Sequence, residues 1–513
     1  MIAEISWSEQ VSFPILSTMI VLPLVAMAVA WIIKSNRAVL WGTIAATLEF
    51  GLAIYLLTHF ISDTASLQFV ERVPLLPPFL SYHLGVDGIS ILFVALTALL
   101  TLLLILYCKT VSTEIVDERP IGIYVASVFG FQAVMMGIFM SINLLEFWLL
   151  LALELIPAAF ILHRWGTSRG REKNWALSRY LQDMGGGLAL VLAAILILGW
   201  RYAEMTGSWS FALTDLLASP IAKAAQVPIF VLFLFGIAPR LALFPFHAWL
   251  PVVAQHGPLS TLCIFLVGLK VGVYALLRFV LPLMPAATEE WKGFVVALAA
   301  ISILYGALMA LLQINLRRLL AFAAVCHTGM LVIGIFCLNR VAMEGSLILS
   351  ITFGVAASGL FFVMGIFYRS TRTTFLPRLG GLFDATPLLG FTFLIAALST
   401  MAMPGTPGFD AAHLILEGAV KTYHWSIAVA VGLGSVASAA FLLWAFQRAF
   451  LAQRRERSLH PKKIKLDVPE VLLAGAICGV LVGIGFNTEP WIQMVYTSLD
   501  TLSQRFETSL ALH

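Results

Sequence analysis

The stretch FGIAPRLALFPFHAWLPVVAQHGPLSTLCIFLVGLKVGVYALLRF, residues 235–279, sets Arg240 and Lys270 inside apolar sequence and interrupts the run between them with Pro245, Pro251 and Pro258. A cation near a bilayer centre costs roughly 2.5–3.5 kcal/mol on insertion scales, so two of them beside a broken helix mark a polar path. His247 lies in the break and joins them as a candidate for that path. The competing reading is snorkelling, in which a long side chain carries its charge to an interface on an apolar stem. Lys270, with apolar runs on both sides, fits snorkelling less well than Arg240.

The rest of the chain supplies the bilayer. Of its 513 residues 60% are hydrophobic and 11% charged, and the mean hydropathy is +0.95; soluble domains carry roughly 25% charged residues. Apolar runs of about 20 residues, each enough to cross the hydrocarbon core as a helix, recur almost end to end. The first, 13–33, follows Glu4 and Glu9 rather than a basic segment, and reads as a spanning helix rather than a cleaved signal. Cys108, Cys263, Cys326, Cys337 and Cys478 sit in apolar sequence without CxxC spacing. Neither a disulfide framework nor an iron–sulfur or zinc site is suggested, and no cofactor is expected in this chain.

An all-α polytopic membrane protein of about fourteen helices follows, with spans at 13–33, 38–60, 90–108, 121–141, 143–163, 177–199, 225–256, 259–282, 292–313, 319–338, 345–367, 386–420, 424–447 and 469–487. Roughly twenty of the 31 Lys and Arg fall in the loops after helices 1, 3, 5, 9, 11 and 13, which the positive-inside rule makes cytoplasmic, with both termini on the other side. These short basic caps account for the net charge of +4, and no nucleic-acid partner is implied. Gly185, Gly186 and Gly187 read as a site of close helix packing rather than a phosphate loop. Helix 7 is interrupted at 245–251 and helix 12 at Met403 to Gly408. Paired interruptions five helices apart predict inverted repeats, 121–282 (helices 4–8) and 292–447 (helices 9–13), within one membrane domain covering 1–513. Ordinary proline kinking is the alternative.

Three further groups complete the candidate path. Glu154 stands at the centre of helix 5, three residues before Pro157, where an ionised carboxylate needs a cation or takes up a proton. Its alternative role is a purely structural ion pair. His327 in helix 10 has an imidazole suited to proton relay, or simply hydrogen-bonded within the core. In helix 12, Asp410, His413 and Glu417 are spaced i, i+3 and i+7, which shares one helix face and predicts a short hydrogen-bonded column. The alternative places Glu417 in water at the outer end. No HxxxH pair appears, so metal binding is not expected.

Six segments carry a family resemblance: YHLGVDGISILFVALTALL (82–100), LLEFWLLLALELIPAAFIL (144–162), FPFHAWLPVVAQHGP (244–258), LKVGVYALLRF (269–279), NLRRLLAFAAVCHTGM (315–330) and LGGLFDATP (379–387). Together they resemble the antiporter-like membrane subunits of respiratory complex I (NADH:quinone oxidoreductase) and of multisubunit Na⁺/H⁺ antiporters, the chain M type above all. The resemblance implies proton transport, partner membrane subunits in the bilayer, and residence in a bacterial-type inner membrane. It also implies a coupled helix 5 glutamate and helix 7 lysine, a helix 8 lysine joining two half-channels, and a charged residue of helix 12 leading outward. Glu154 and Lys270 fall on the first and third of these positions.

Three positions depart from that pattern. Arg240 stands where such proteins have the helix 7 lysine, Ala412 where the chain M type has its helix 12 glutamate, and Phe353 where a helix 11 histidine is common. Lysine can release its proton when buried, whereas arginine effectively cannot. The sequence therefore supports a proton-translocating subunit working through Glu154, Arg240, His247, Lys270, His327 and the helix 12 cluster. Its rivals are a channel-impaired scaffold subunit holding partners in the membrane, and a cation/proton antiporter subunit.

Overall fold

The computed structural model describes residues 3–33, 37–76, 79–114, 120–168, 170–259, 262–453 and 464–511. Lys34, Arg119 and the basic run 454–463, which entered the charge bias above, lie outside the described residues. Among those described, thirteen helices are long and apolar enough to cross a membrane, and a further span is split into two shorter pieces. In chain order they are α1 (Ile15–Ile33), α2 (Arg37–His59), α3 (Ile91–Glu114), α4 (Ile121–Met140), α5 (Leu144–Trp165), α6 (Arg171–Thr206), α7a (Lys223–Leu241) and α7b (Trp249–His256). Then follow α8 (Leu262–Ala275, continued by a π-helical turn to Leu283), α9 (Pro285–Leu311), α10 (Leu316–Phe336), α11 (Arg340–Thr371), α12a (Pro387–Thr400), α12b (Pro407–Thr422), α13 (Trp425–Phe446) and α14 (Val468–Phe486). An amphipathic α15 (Glu489–Ala511) closes the chain, and the sequence reading does not contain it.

Several starts are fixed by short polar side chains that accept from otherwise unpaired backbone N–H groups. Asn143 accepts from the amides of Leu145 and Glu146 at α5, Asn315 from Arg317 at α10, and Asn339 from Ala342 at α11. Asp467 and Glu470 form a capping box at α14. Helices α4, α8, α10 and α11 are buried along almost their whole length, whereas α1, α2 and α14 bury only one stripe. A helix that is apolar all round satisfies lipid and protein interior alike, so hydropathy finds these spans without separating inner from outer ones.

Both expected breaks are present. After Leu241 the chain enters a left-handed residue, Ala242 (φ 51°), passes a cis Phe244–Pro245 bond and resumes as helix at Trp249. The indole Nε1 of Trp249 donates to the Pro239 carbonyl at 2.9 Å, satisfying an acceptor at the broken end of α7a. The second break runs from Met401 to Thr406, with Ala402 (φ 60°) and Gly405 (φ 84°) in the left-handed region. Of the three consecutive glycines, Gly187 alone makes a close approach: a Cβ there would collide with the Gly236 carbonyl of α7a, while nothing lies within 4 Å of that position at Gly185 or Gly186.

A three-stranded sheet, absent from the sequence reading, occupies one end of the bundle. β1 (Glu4–Ser6) pairs parallel with β2 (Leu67–Leu76), which pairs antiparallel with β3 (Leu80–Val86). The Glu71 carboxylate on β2 accepts from the amides of Leu16 and Ser17 and so caps α1 from outside that helix. Burial pushes the Glu71 carboxyl above its usual range, and the Ser17 and Leu16 hydrogen bonds act against that shift. Helix α15 folds back on the same end, where the Ser498 hydroxyl oxygen accepts from the Gly88 amide.

Candidate functional site

Helix α5 buries Phe147, Leu151, Glu154, Ala158 and Ile161 on one face, a helical repeat that carries Glu154 inward against α6, α7a and α8. Glu154 is 2% exposed and Arg240, next to the end of α7a, 5%. The Arg240 Nη1 donates to Glu154 Oε2 at 2.7 Å, and Nη2 donates to the Leu151 carbonyl at 3.0 Å. The Tyr180 hydroxyl of α6 donates to Oε1 at 3.1 Å. Each carboxylate oxygen thus has a donor and the cation has two acceptors, which is what a desolvated ion pair requires to persist. Oε1 lies 3.9 Å from where a Cβ on Gly268 would sit, two residues before Lys270 on α8.

Lys270 is 2% exposed. Among the described residues no carboxylate pairs with its ammonium; Nζ lies 5.0 Å from the ring centroid of Phe353 on α11. A second neighbour of that ring is a histidine. His327 of α10 stacks on Phe353 at 4.5 Å between centroids with 20° between planes. Its Nδ1 is 2.8 Å from the Ala323 carbonyl and its Nε2 2.8 Å from the Thr400 carbonyl, the last residue of α12a. A neutral imidazole has one N–H, so both contacts are hydrogen bonds only when the ring carries its second proton. Lys270, Phe353 and His327 therefore lie in sequence between the Glu154–Arg240 pair and the break in helix 12.

His247 sits in the first break with its ring against Tyr305 of α9, 4.9 Å between centroids, and its Nδ1 has no hydrogen-bond partner among the described residues. The expected column in helix 12 is a correction. No hydrogen bond joins Asp410, His413 and Glu417 among the described residues: Asp410 accepts from Thr488, His413 is exposed beside Phe409, and Glu417 accepts from Lys421 at 2.6 Å. The reason lies in the other face of α12b. Pro407, Gly408, Ala411, Ile415, Gly418 and Ala419 are its buried residues, and they turn positions 410, 413 and 417 outward. Ala412 is half-buried at the edge.

Two buried polar clusters lie outside the sequence reading. Asp87, in the loop before α3, pairs with Arg278 in the π-helical turn of α8, and both are buried. Asp87 also accepts from the amides of Ile89 and Ser90. Arg278 was visible as a third cation within residues 235–279, and Asp87 as an acid in an otherwise apolar run. Nearer the sheet, Glu146 accepts from the His83 amide at 3.1 Å and the Ser141 hydroxyl at 3.2 Å. His83 Nε2 lies 3.2 Å from Glu4 on β1, and that hydrogen bond holds the Glu4 carboxyl below the usual range. Among the described residues no group of three or more His, Cys, Asp or Glu is placed to hold a metal ion.

A chain with fourteen apolar passes, two of them broken, and a row of buried charged side chains running between the breaks is a polytopic membrane protein of the ion-translocating kind. It belongs to the NADH:quinone oxidoreductase/Mrp antiporter transmembrane family, whose profile matches residues 141–438. It is 30% identical over 495 residues to NADH-ubiquinone oxidoreductase chain 4 of Marchantia polymorpha, covering 95% of this chain and 97% of that one. Against NADH-quinone oxidoreductase subunit M of Rickettsia conorii the identity is 32% over 455 residues, covering 86% and 89%. Its fold matches a chain of respiratory complex I from Thermus thermophilus with bound NADH at a TM-score of 0.85 and 29% identity, covering 96% of this chain and 100% of the other.

Proposed function

We propose that this chain is a proton-translocating, antiporter-like subunit of the chain M type in a complex I-like NADH:quinone oxidoreductase, seated among other membrane subunits in a bacterial-type inner membrane. The distribution of Lys and Arg among the loops supports an orientation with both termini on the non-cytoplasmic side. The placement of one break before α8 and the other before α13 supports two inverted repeats, helices 4–8 and 9–13.

The observation that carries the reading is Lys270, buried with no carboxylate partner among the described residues and set between the Glu154–Arg240 pair and the Phe353–His327 stack. Arg240 keeps its charge, so it holds Glu154 without cycling. Lys270 is the group that takes up and releases a proton. Charges one to two helix turns apart at an effective dielectric of about 20 interact by roughly 2 kcal/mol, enough to change a proton affinity more than tenfold. A rearrangement that loosens Arg240 from Glu154 is therefore felt at Lys270. His327 receives the proton on the far side of Phe353 and passes it toward the break in helix 12; His247 faces the first break from the other end.

Lys270→Ala should abolish proton transport by the reconstituted complex while the complex still assembles, and Lys270→Arg should impair it although the charge remains. Wild-type pumping by Lys270→Arg in proteoliposomes would remove the need for a deprotonating lysine. The second reading, a scaffold subunit with an interrupted channel, is favoured by Phe353, whose apolar ring meets both Lys270 and His327 and carries no proton between them. It predicts that Lys270→Ala leaves coupled transport unchanged.

A further inference from the structure

The deepest unassigned acid of the chain lies outside the residues that match the family profile. Glu49 of α2 is 0% exposed, and neither of its carboxylate oxygens has a hydrogen-bond partner among the described residues. Gln132 of α4, 1% exposed, is in the same position: neither its amide oxygen nor its amide nitrogen is partnered.

The register between the helices relates the two. A Cβ on Gly42 of α2 would lie 2.9 Å from Val125 Cγ1 and 3.4 Å from Phe129 of α4, and 3.4 Å from Ile105 of α3. Alternate passes run in the same direction, so α2 and α4 are parallel and equal steps along them stay level. Seven residues on from Gly42 is Glu49; seven on from Val125 is Gln132. Helix α3 runs the other way, and seven residues back from Ile105 lies between Thr97 and Thr101, both buried. An acid, an amide and two hydroxyls therefore share one level in the interior, where Ala45, Ala46 and Ala53 are the nearest buried residues of α2 in sequence.

Among the described residues no charged group faces Glu49 there. Helix α1 brings no titratable residue; α3 brings Tyr107 and Cys108 and α4 brings Tyr124, all at or beyond the level of Gly42, about two turns away. An ionised carboxylate without a cation or a donor in such surroundings costs many kcal/mol, whereas the neutral acid both donates to an amide oxygen and accepts from an amide nitrogen. Gln132 offers both. We infer that Glu49 and Gln132, with Thr97 and Thr101 beside them, form a second proton-binding site, in which the Glu49 carboxyl binds and releases H⁺. Beyond the threonines a void of about 10 Å³ is lined by Thr97, Thr101, Val128, Phe131, Cys263 and Val267. That is room for about one water, and Val267 is one turn from Lys270. Glu49 is placed to hold a proton in exchange with Lys270; this exchange rests on the transport reading above, and the binding site does not.

Two measurements test the site without using transport, so its failure is separate from a failure of the Lys270 reading. N,N′-dicyclohexylcarbodiimide adds to protonated carboxyls in apolar surroundings. Peptide mapping of the assembled complex treated in its native membrane should find the adduct on Glu49, with a yield that falls as pH rises. Glu49 recovered unmodified while other carboxyls of the chain carry the adduct would overturn the proposal. In infrared difference spectra between acid and alkaline pH, Glu49→Gln should lose one carbonyl band of a protonated carboxylic acid. A spectrum identical to that of the wild-type complex would overturn it equally.

Discussion

The two broken helices begin from the same chemistry and end differently. At the first break, the Pro239 carbonyl at the end of α7a accepts from the Trp249 indole as well as from the Ala242 amide, and the charged residue beside it, Arg240, is turned inward onto Glu154. At the second, the acceptor left by α12a is taken by His327 from another helix, and the charged residues of α12b are turned outward. A break supplies unpaired backbone in both cases. What decides whether nearby charge joins the interior is the face that the small and apolar residues claim: on α12b Gly408, Ala411, Ile415 and Gly418 claim the inner one.

The largest expected effect is at the closed break. Removing one member of a buried, fully hydrogen-bonded ion pair leaves a desolvated charge, at about 3–5 kcal/mol. Glu154→Ala and Arg240→Met should each lower the Tm of the purified complex and the amount of chain retained in membranes. The double variant Glu154→Gln/Arg240→Met carries no charge at the site and should recover most of that stability while transport stays lost. Single variants as stable as the wild-type complex would mean that the pair is open to water.

That asymmetry shows where sequence reasoning reached and where it stopped. Arg240 and Glu154 were legible because each is a lone charge in a long apolar run, and each needs the other. The breaks were legible from proline and glycine. The helix 12 cluster was misplaced because periodicity states that Asp410, His413 and Glu417 share a face without stating which face; that depends on glycines at the seam between α11 and α12b. Gly345 illustrates it, since a Cβ there would lie 2.6 Å from the Ala411 carbonyl. The sheet was missed because β2 and β3 occupy a connection between spans, where hydropathy carries no alternation strong enough to find strands. Asp87 and Arg278 were missed for a different reason: they are far apart in the chain, and only the fold of α3 against α8 brings them together.

A smaller effect is expected at Phe353, whose ring meets both Lys270 and His327. An imidazole in place of that ring would stand between Lys270 and His327 and offer the proton an intermediate stop. Phe353→His should raise transport by roughly tenfold, equivalent to about 1.4 kcal/mol off the limiting barrier, whereas Phe353→Leu, which keeps the site apolar, should not raise it. Proton uptake by proteoliposomes holding the two variants separates the cases. Equal rates in Phe353→His and wild type would place the limiting step elsewhere.

The smallest effects belong to the open break. Asp410→Ala removes one hydrogen bond, to Thr488, and should cost about 0.5–1.5 kcal/mol. His413→Ala and Glu417→Ala act on exposed groups, Glu417 in a surface pair with Lys421, and each should unfold at the same temperature as the wild-type complex. Gly345→Ala is the internal control on the opposite face: one added methyl meets the α12b backbone and should destabilise more than deleting either exposed side chain. If helix 12 contributes to transport only through the Thr400 carbonyl held by His327, both exposed variants should also pump at the wild-type rate. Loss of transport in His413→Ala at unchanged stability would show instead that the outward face carries protons, and the two breaks would then be alike in function although they differ in burial.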